Sequence, residues 1–418
     1  MFVYDTLARE RRAIVIFGAG FVGEYIGKRC TAAGISVAAY CDNVLGRNGG
    51  EAFGRPVRTL PALIEAYGES IVFLIAVRDI DTVVQQLAAA GDFPWHPVCD
   101  LYELSDIPQT LPFMDRQKLE AAWYVHDHYC DAERLTLNTL DFVITERCSL
   151  RCRECSNLMQ YYEKPQNFGL PALQEQIARL LTVYDEVYEL RLLGGEPFVH
   201  PEMKEIITFL NGQDAIKRLC IYTNATILPG DDVFAVMAEG GKTWFSVSDY
   251  HALSRNLTPM IAKLETFGIG YERKPVDYWT RCASFEKHNR TPAENRRIFY
   301  ECCAKDLLTL LGGRLYPCPF IANAMNLKGI PAAQCDYVDL MADKSAEELR
   351  TELRAKLKNR PYYVSCDYCL GRPAVAFVRE EDKIPPNEQT AAALPYRRLE
   401  VMADGSHRLS GEDWDGAR

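Results

Sequence analysis

The sequence predicts an α/β protein with a front domain over residues 1–105, a larger domain over 136–300 and a small cysteine-bearing region over 301–380. Apolar strand-like runs alternate with helix-like segments in both larger parts, which is the pattern of parallel sheets. The chain has 418 residues, more than one ordinary core holds. We expect connecting helices over 106–135 and a C-terminal tail over 381–418, in which residues 410–416 should be solvated and the last dozen residues mobile.

The bulk composition is that of a soluble globular protein, with 48% hydrophobic and 25% charged residues. No apolar run reaches the ~18 residues of a membrane span, and the amino terminus lacks a signal-peptide pattern, so we expect a cytoplasmic protein. A net charge of −10 argues against nucleic acid as the main partner. Fifteen cysteines without a secretory signal indicate a reducing compartment and metal chemistry.

The front domain reads as a Rossmann-like unit. Strand-like runs at 13–17, 35–40 and 71–76 surround a helix at 24–33, and Gly18, Gly20 and Gly23 form a G-x-G-x-x-G turn after the first strand. Such glycines permit a tight turn, a phosphate group meets the helix amino terminus, and Asp42 falls near the ribose position. The alternative is that this fold serves only packing or oligomerisation.

Residues 11–100 also carry Cys41-Asp42-Asn43 followed by Gly54-Arg55-Pro56-Val57. This pattern resembles the nucleotide- or nucleotide-sugar-binding domains attached to bacterial capsule and lipopolysaccharide biosynthesis enzymes. The resemblance implies a nucleotide-bearing ligand. Hydride transfer is not implied, because no nicotinamide-handling residues are visible.

Three closely spaced cysteines, Cys148, Cys152 and Cys155, follow the strand-like run at 140–145. A [4Fe–4S] cube normally takes four thiolates, so three imply one iron left open for another molecule. The alternative, structural zinc, needs four protein ligands, and the nearest other candidates, Cys130 and His128, lie upstream across the strand. Basic residues beside the loop either steer an acidic electron donor, balance the cluster charge or form a solvated face; they are Arg147, Arg151 and Arg153.

The spacing Cys-x3-Cys-x2-Cys, followed about forty residues later by Gly194-Gly195-Glu196-Pro197, resembles the radical S-adenosylmethionine superfamily. The resemblance implies that S-adenosylmethionine chelates the open iron and is cleaved reductively to a 5′-deoxyadenosyl radical, while Gly-Gly-Glu-Pro holds its methionine amino group. The residue types agree, because glycines allow close backbone approach and Glu196 can accept hydrogen bonds from an ammonium. Family members usually carry an aromatic residue before the third cysteine, where this chain has Glu154.

The larger domain alternates strands and helices as a parallel sheet requires. Strands are predicted at 140–145, 190–193, 219–223, 243–247, 269–272 and 307–311, and helices at 173–183, 203–210, 232–238 and 259–267. Six such units are what the family's partial (β/α)6 TIM-type barrel requires. Polar residues at the carboxyl ends of strands are, by similarity, candidates to bind the ribose and adenine of S-adenosylmethionine or to face the substrate, or else cap the strands; they are Thr223, Asn224, Ser246 and Ser248.

A second cysteine set comprises Cys303, Cys318, Cys366 and Cys369, with Cys302 as an alternative to Cys303. Gly312-Gly313 predicts a β-hairpin between the first two ligands. The set resembles the shortened auxiliary-cluster region called twitch, a small β-hairpin and helix domain that holds one auxiliary [4Fe–4S] cluster. Structural zinc is the alternative.

The resemblance implies hydrogen abstraction from a small molecule, which is a carbohydrate, a polyol or a nucleotide-linked compound. If the auxiliary cluster takes the next electron the outcome is oxidation, and if a thiol such as Cys282 returns a hydrogen it is epimerisation. Peptide modification and a non-catalytic iron–sulfur or zinc scaffold are the alternatives. A flavodoxin or ferredoxin-type protein is the expected electron donor.

Overall fold

The computed structural model describes residues 3–401 and 407–409, apart from 48, 132, 133, 283, 306, 359, 375, 376, 386 and 387. The chain divides into two compact units, Met1–Leu135 and Thr136–Arg418. The segment expected to connect the domains, 106–135, belongs to the first unit. The expected mobility of the last dozen residues concerns positions that lie mostly outside the described residues.

The first unit is a parallel sheet with helices around it. Its sheet runs in the order β3-β4-β2-β1-β5-β6, and every pairing is parallel except the short β3–β4 hairpin. Leaving out β3, this is the 3-2-1-4-5 order of doubly wound folds. The strands are β1 Ala13–Phe17, β2 Val37–Cys41, β3 Glu51–Ala52, β4 Arg55–Arg58, β5 Ile71–Ile75 and β6 Trp95–His96; the helices are α1 Tyr4–Leu7, α2 Phe21–Ala32, α3 Leu60–Tyr67, α4 Ile80–Ala90 and α5 Phe113–Cys130.

The long helix α5 packs into this unit through its apolar face. Leu119 and Ala122 join the core around Leu101, and the hydroxyl of Tyr102 donates to the carbonyl of Leu119 at 2.8 Å. His126 is fully buried and bonded at both ring nitrogens, to Val98 and Val77 backbone groups. It is therefore a packing residue of this unit.

The second unit holds an eight-stranded sheet and seven helices among its described residues. The strands of the sheet are β7 Thr136–Thr145, β8 Glu186–Gly194, β9 Ile216–Thr223, β10 Thr243–Asp249, β11 Gly270–Pro275, β13 Leu308–Leu311, β14 Arg314–Tyr316 and β15 Val338–Asp339, and β12 Trp279–Thr280 pairs with β16 Lys383–Ile384 outside it. A last hairpin joins β17 Leu399–Val401 and β18 His407–Leu409. The helices are α6 Leu170–Val183, α7 Met203–Asn211, α8 Asp231–Gly240, α9 Leu257–Thr266, α10 Pro292–Glu301, α11 Pro319–Asn326 and α12 Ala346–Leu357.

The sheet order, β11-β10-β9-β8-β7-β13-β14-β15, differs from the sequential order of six barrel strands. The first five strands are parallel neighbours in chain order, as predicted. The sixth, β13, is also parallel, but it pairs with β7 at the start of the series and not with β11. Its hairpin with β14, across the Gly312-Gly313 turn, then extends that edge. The mixed α/β fold with parallel strands is confirmed.

The two faces of this sheet differ in polarity. One face is apolar and consists of residues such as Phe142, Leu192, Ile221 and Phe245, all at most 1% exposed. The register places Asp141 beside Arg191 on the other face, and Ser246 beside Tyr222 and Glu272. Parallel sheets are ordinarily apolar on both faces, so a polar face indicates a site. None of the helices in the described part of the chain has the length and apolar character needed to cross a membrane.

Candidate active site at the carboxyl edge of the sheet

The loop with Cys148, Cys152 and Cys155 begins directly after β7, and the Gly-Gly-Glu-Pro run lies at the end of its parallel neighbour β8. The carboxyl ends of parallel strands meet at one edge, so both predicted site segments stand side by side. The sulfurs of Cys148 and Cys152 are further anchored from outside the loop. Asn224 Nδ2 donates to Cys148 Sγ at 3.7 Å, and Gln389 Nε2 donates to Cys152 Sγ at 3.1 Å.

Gly194 and Gly195 are needed because the cysteine loop passes over them. Gly194 has φ +154°, and a Cβ there would lie 1.9 Å from the carbonyl oxygen of Thr145. A Cβ on Gly195 would lie 2.0 Å from the carbonyl oxygen of Arg147. Sequence reasoning assigned these glycines to close approach of a ligand. The structure adds a second reason, which is close approach of the loop that bears the thiols.

Glu196 ties the ends of β8 and β9 together. Its carboxylate is fully buried and accepts hydrogen bonds from Thr223 Oγ1 and the Asn224 backbone N–H, both at 2.8 Å, and from the Phe198 N–H at 3.3 Å. Burial raises the pKa of Glu196 to about 7, although these hydrogen bonds act in the opposite direction. The carboxyl group is therefore partly ionised at neutral pH, and a bound cation would favour its ionised form. Pro197 begins the short turn that Glu196 caps.

Thr223 and Asn224 brace the site from β9. The side chain of Asn224 donates to Ser149 Oγ at 3.2 Å and accepts from the Thr226 hydroxyl and N–H. These contacts join the β9 end to the cysteine loop. The sequence prediction that Thr223 and Asn224 bind S-adenosylmethionine stays a prediction; their observed contacts position the loop.

The polar face of the sheet carries buried groups that suit a polar ligand. Arg191 pairs with Asp141 and lies over the Tyr222 ring, 5.0 Å from its centroid. Burial raises the pKa of Asp141, and Arg191 acts against it. Ser246 Oγ and Thr309 Oγ1 are buried and have no hydrogen-bond partner among the described residues. An unpaired buried hydroxyl costs ~1–3 kcal/mol, which a ligand or water would offset.

Ser248 lies near the carboxyl end of β10, two residues before Tyr250. Burial raises the pKa of Tyr250, and the thiols of the cysteine loop add to the effect. The Tyr250 hydroxyl is therefore near enough to the loop for its thiols to act on it, which sequence reasoning missed. Its position one residue beyond the β10 end was the available signal.

Four cysteines line one cavity in the second cysteine region. The empty space there is about 420 Å³, part of it open to solvent, and its lining includes Cys302, Cys318, Cys366 and Cys369. The predicted hairpin is present as β13–β14, with Cys318 following β14 and capping α11. The donor set and the cavity fit an iron–sulfur cluster.

Cys302, and not Cys303, is the vicinal cysteine on this cavity wall. Its sulfur accepts a backbone N–H from two residues further on, at 3.4 Å. Cys318 and Cys369 accept N–H groups from Ile321 and Gly371 in the same manner, at 3.4 and 3.3 Å. Cys303 is exposed. The sequence preference for Cys303 stays a prediction, and these contacts favour the Cys302 alternative.

Arg372 and Cys282 lie among both cysteine sets. Burial raises the pKa of Cys155 and of Cys369, and Arg372 lowers both. Cys282 is 3% exposed, and its sulfur lies 3.9 Å from the Glu154 carbonyl oxygen. Burial raises the pKa of Cys282 to about 12, so this thiol stays protonated. Arg372 was not foreseen from sequence because its importance depends on burial, which no local pattern displays.

All fifteen cysteines are free thiols. Within the described residues, no three His, Cys, Asp or Glu side chains already converge on one point that would hold a single metal ion. A cubane is a different kind of site, because each of its thiolates binds a different iron. The cysteine loop would hold one cluster and the cavity the other, with S-adenosylmethionine at the open iron of the first.

The glycine turn of the first unit has the expected geometry. Gly18 has φ +114°, and a Cβ on Gly23 would lie 2.0 Å from the Gly18 carbonyl oxygen, whereas a Cβ on Gly20 would meet nothing within 4 Å. The Asp42 carboxylate accepts the Ala19 N–H at 3.3 Å and the N–H groups of Val44 and Leu45 at 2.9 Å. Asp42 thus connects the β2 end to the glycine turn. Its predicted ribose contact stays a prediction.

A parallel sheet with three thiols and a Gly-Gly-Glu-Pro run at its carboxyl edge defines the class of an iron–sulfur protein that binds S-adenosylmethionine. Residues 142–250 match the Radical SAM superfamily, so the chain carries a domain of this superfamily. The superfamily uses a [4Fe–4S] cluster and S-adenosylmethionine.

Curated relatives match a part of the chain. GTP 3′,8-cyclase of Syntrophomonas wolfei is 31% identical over 121 residues, which are 27% of this chain and 33% of that protein. The mitochondrial GTP 3′,8-cyclase of Arabidopsis thaliana is 39% identical over 89 residues, 20% of this chain and 22% of that protein. The chain thus spans a third or less of the length of these two relatives.

Two solved structures are also similar. BtrN in complex with AdoMet and 2-DOIA is 16% identical, with a TM-score of 0.36, and the similarity covers 56% of this chain and 93% of BtrN. The anSMEcpe protein with bound AdoMet is 11% identical, with a TM-score of 0.37, covering 53% of this chain and 83% of that one.

Proposed function

We propose that the protein is a radical S-adenosylmethionine enzyme that abstracts a hydrogen atom from a carbohydrate, polyol or nucleotide-linked substrate. When bound at the cysteine loop, the cluster and S-adenosylmethionine supply one electron and a radical able to remove hydrogen from carbon. Cys148, Cys152 and Cys155 hold the cluster. Glu196, near its ionisation point, favours the methionine ammonium at the adjacent strand end.

The substrate class is inferred from the polar face of the sheet. Ser246 and Thr309 present buried hydroxyls without partners among the described residues, and the Arg191–Asp141 pair lies on the same face. A hydroxyl-rich molecule satisfies such groups, whereas an apolar one would leave their desolvation cost in place. The front unit would bind a nucleotide-bearing ligand at the turn of Gly18, Gly20 and Gly23.

The four-cysteine cavity favours oxidation as the outcome. A carbon radical beside a hydroxyl becomes a ketone when it loses one electron to a second cluster and one proton to solvent. Cys282 supports the other outcome, epimerisation, because its buried thiol is protonated and has a hydrogen atom to return. The thiyl radical left on Cys282 would then take up one proton and one electron, the electron coming from the second cluster or from the external electron donor. A flavodoxin or ferredoxin-type protein would supply the first electron.

The test begins with protein purified and reconstituted without oxygen. We expect about eight irons per chain for two cubes, and release of 5′-deoxyadenosine when reductant and S-adenosylmethionine are added. Cys152→Ala should retain about four irons and release no 5′-deoxyadenosine. Iron-replete protein that cleaves no S-adenosylmethionine contradicts the proposal and favours the scaffold alternative.

The substrate class is tested with C-deuterated sugars, polyols and nucleotide-sugars, since deuterium must appear in 5′-deoxyadenosine. If the outcome is oxidation, both wild type and Cys282→Ser form a ketone. If the outcome is epimerisation, wild type inverts one stereocentre of the substrate and Cys282→Ser does not. A purine nucleoside triphosphate is the second candidate, because the curated relatives are GTP 3′,8-cyclases by name. Deuterium transfer from labelled GTP alone would favour it.

A further inference from the structure

A short segment near the end of the chain, residues 388–391, pairs with the cysteine loop as an added strand. The Arg153 N–H donates to the Glu388 carbonyl at 2.7 Å, and the Thr390 N–H donates to the Arg151 carbonyl at 2.9 Å. These two bonds form an antiparallel bridge between Cys152 and Gln389. The sequence assigned these residues to a C-terminal tail and gave no sign of this contact.

The side chain of Gln389 is directed at the loop and is bonded at both ends. Its Oε1 accepts the Arg151 N–H at 2.6 Å, and its Nε2 donates to Cys152 Sγ at 3.1 Å. The first bond fixes the amide plane, and the backbone bridge fixes its distance from the sulfur. Cys152 itself is 7% exposed, so this hydrogen bond is largely shielded from water.

The basic residues of the loop hold the ends of the same segment. Arg153 pairs with Glu388 at 2.6 Å, and Arg151 Nη1 donates to the Ala391 carbonyl at 3.1 Å. Both arginines therefore have partners within the chain, and their roles toward an acidic donor or the cluster charge stay predictions. The Arg153–Glu388 pair is exposed on both sides and contributes little, so it serves as a control position.

We propose that Gln389, held against the loop by the strand pairing of its segment, is a positioning residue whose N–H···S bond to the Cys152 ligand sets the reduction potential of the cluster. The inference rests on the proposed function, because it requires a cluster at the loop. Hydrogen bonds to cluster sulfurs tune the potential, since a donor favours the more negatively charged reduced state. The segment would thus make reduction easier, and this reduction precedes cleavage of S-adenosylmethionine.

The experiment is a potentiometric titration of full-length reconstituted protein, with the reduced cluster at the loop read by electron paramagnetic resonance. All titrations use a background with Cys318→Ala and Cys366→Ala, which leaves only the loop cluster to titrate. Gln389→Leu removes the side-chain N–H that donates to Cys152 Sγ. Gln389→Glu also removes this donor but keeps an oxygen that accepts the Arg151 N–H. Glu388→Gln is the matched control. Iron content is measured for each.

We expect Gln389→Leu to disfavour reduction about tenfold, which is a potential about 59 mV more negative for a one-electron couple. Gln389→Glu should shift further in the same direction, because it also adds a negative charge, and Glu388→Gln should match the parent. Unchanged potentials in iron-replete Gln389→Leu and Gln389→Glu overturn the inference and leave the proposed function standing. If Gln389→Leu does not hold iron, the reduction potential of Gln389→Glu alone tests the inference. Absence of a reducible cluster in the parent overturns both proposals.

Discussion

The backbone of Gly195 lies against the carbonyl of Arg147, so closely that a Cβ on the glycine would be 2.0 Å from that oxygen and 2.7 Å from the Cβ of Cys148. The end of one strand therefore sets the path of the loop that leaves the neighbouring strand. Two segments that are almost fifty residues apart in the sequence depend on each other at this contact.

Gly195→Ala should therefore displace the cysteine loop. No real Cβ tolerates a backbone oxygen at 2.0 Å, and the strand and the loop cannot both keep their positions. We expect loss of the cluster at the loop, measured as a fall from about eight to about four irons per chain. Gly169→Ala is the control, since its nearest contact would be Pro171 Cδ at 3.9 Å. An iron-replete Gly195→Ala would show that the loop is adaptable.

The vicinal pair Cys302-Cys303 allows a direct comparison of two neighbouring thiols. Cys302 lines the cavity with the other three cysteines, whereas Cys303 is exposed. We expect Cys302→Ala to lose the second cluster, with about four irons remaining, and Cys303→Ala to keep about eight. The measurement is iron content together with the electron paramagnetic resonance spectrum of the reduced protein. The reverse result would restore the sequence preference for Cys303.

Much of the sheet was predictable because its strands are buried apolar runs. Predicted strands 219–223 and 243–247 fall inside β9 and β10, and the glycine turn follows β1 as expected. The place of β13 was not predictable, because chain order alone suggests pairing with β11. The position of β13 depends on its hairpin with β14 and on its pairing with β7. No local sequence pattern shows the pairing with β7.

The cysteine loop and the Gly-Gly-Glu-Pro run could be located from the sequence, but the residues that surround them could not. Cysteine spacing and Gly-Gly-Glu-Pro are local patterns, so they were visible in the sequence. Gln389 lies 237 positions from Cys152, and no spacing rule connects them. The same holds for Arg372, whose charge matters only because folding brings thiols from both sets around it.

Glu196 should give the protein a characteristic pH dependence. Its pKa of about 7 in the folded protein exceeds the ordinary value of 4.5, so its contribution to stability is full below pH 4.5 and is lost as the pH rises to 7. The slope approaches ~1.4 kcal/mol per pH unit within that window. Glu196→Gln should remove this component, seen as a smaller fall in thermal stability between pH 5 and 7. Glu175→Gln, at an exposed position on α6, is the control, and parallel curves for wild type and Glu196→Gln would refute the assignment.

Arg372 should raise the reduction potential of both clusters. It lowers the pKa of Cys155 in the loop and of Cys369 in the cavity wall, where burial alone would disfavour thiolates. Replacing it with glutamine removes a cation that stabilises reduced, more negative clusters. We expect both potentials to fall by about 59 mV or more, a tenfold change in each equilibrium. Arg379→Gln, an exposed change, should leave both where they are, and a shift confined to one cluster would limit Arg372 to that site.

A substitution at Gly20 can distinguish a ligand-binding role of the front unit from a packing role. Gly18 and Gly23 are required by the turn itself, but a Cβ on Gly20, the N-cap of α2, would meet nothing within 4 Å, so packing leaves room for a side chain there. A phosphate bound at the start of α2 would need that room. Gly20→Val should keep the melting temperature of the ligand-free protein and abolish its increase with nucleotides or nucleotide-sugars, because only a ligand bound to the folded state raises stability. Thermal-shift titrations of wild type and Gly20→Val against the same ligands make the comparison. Equal shifts in both proteins would place any nucleotide elsewhere, and no shift in wild type would favour the packing role.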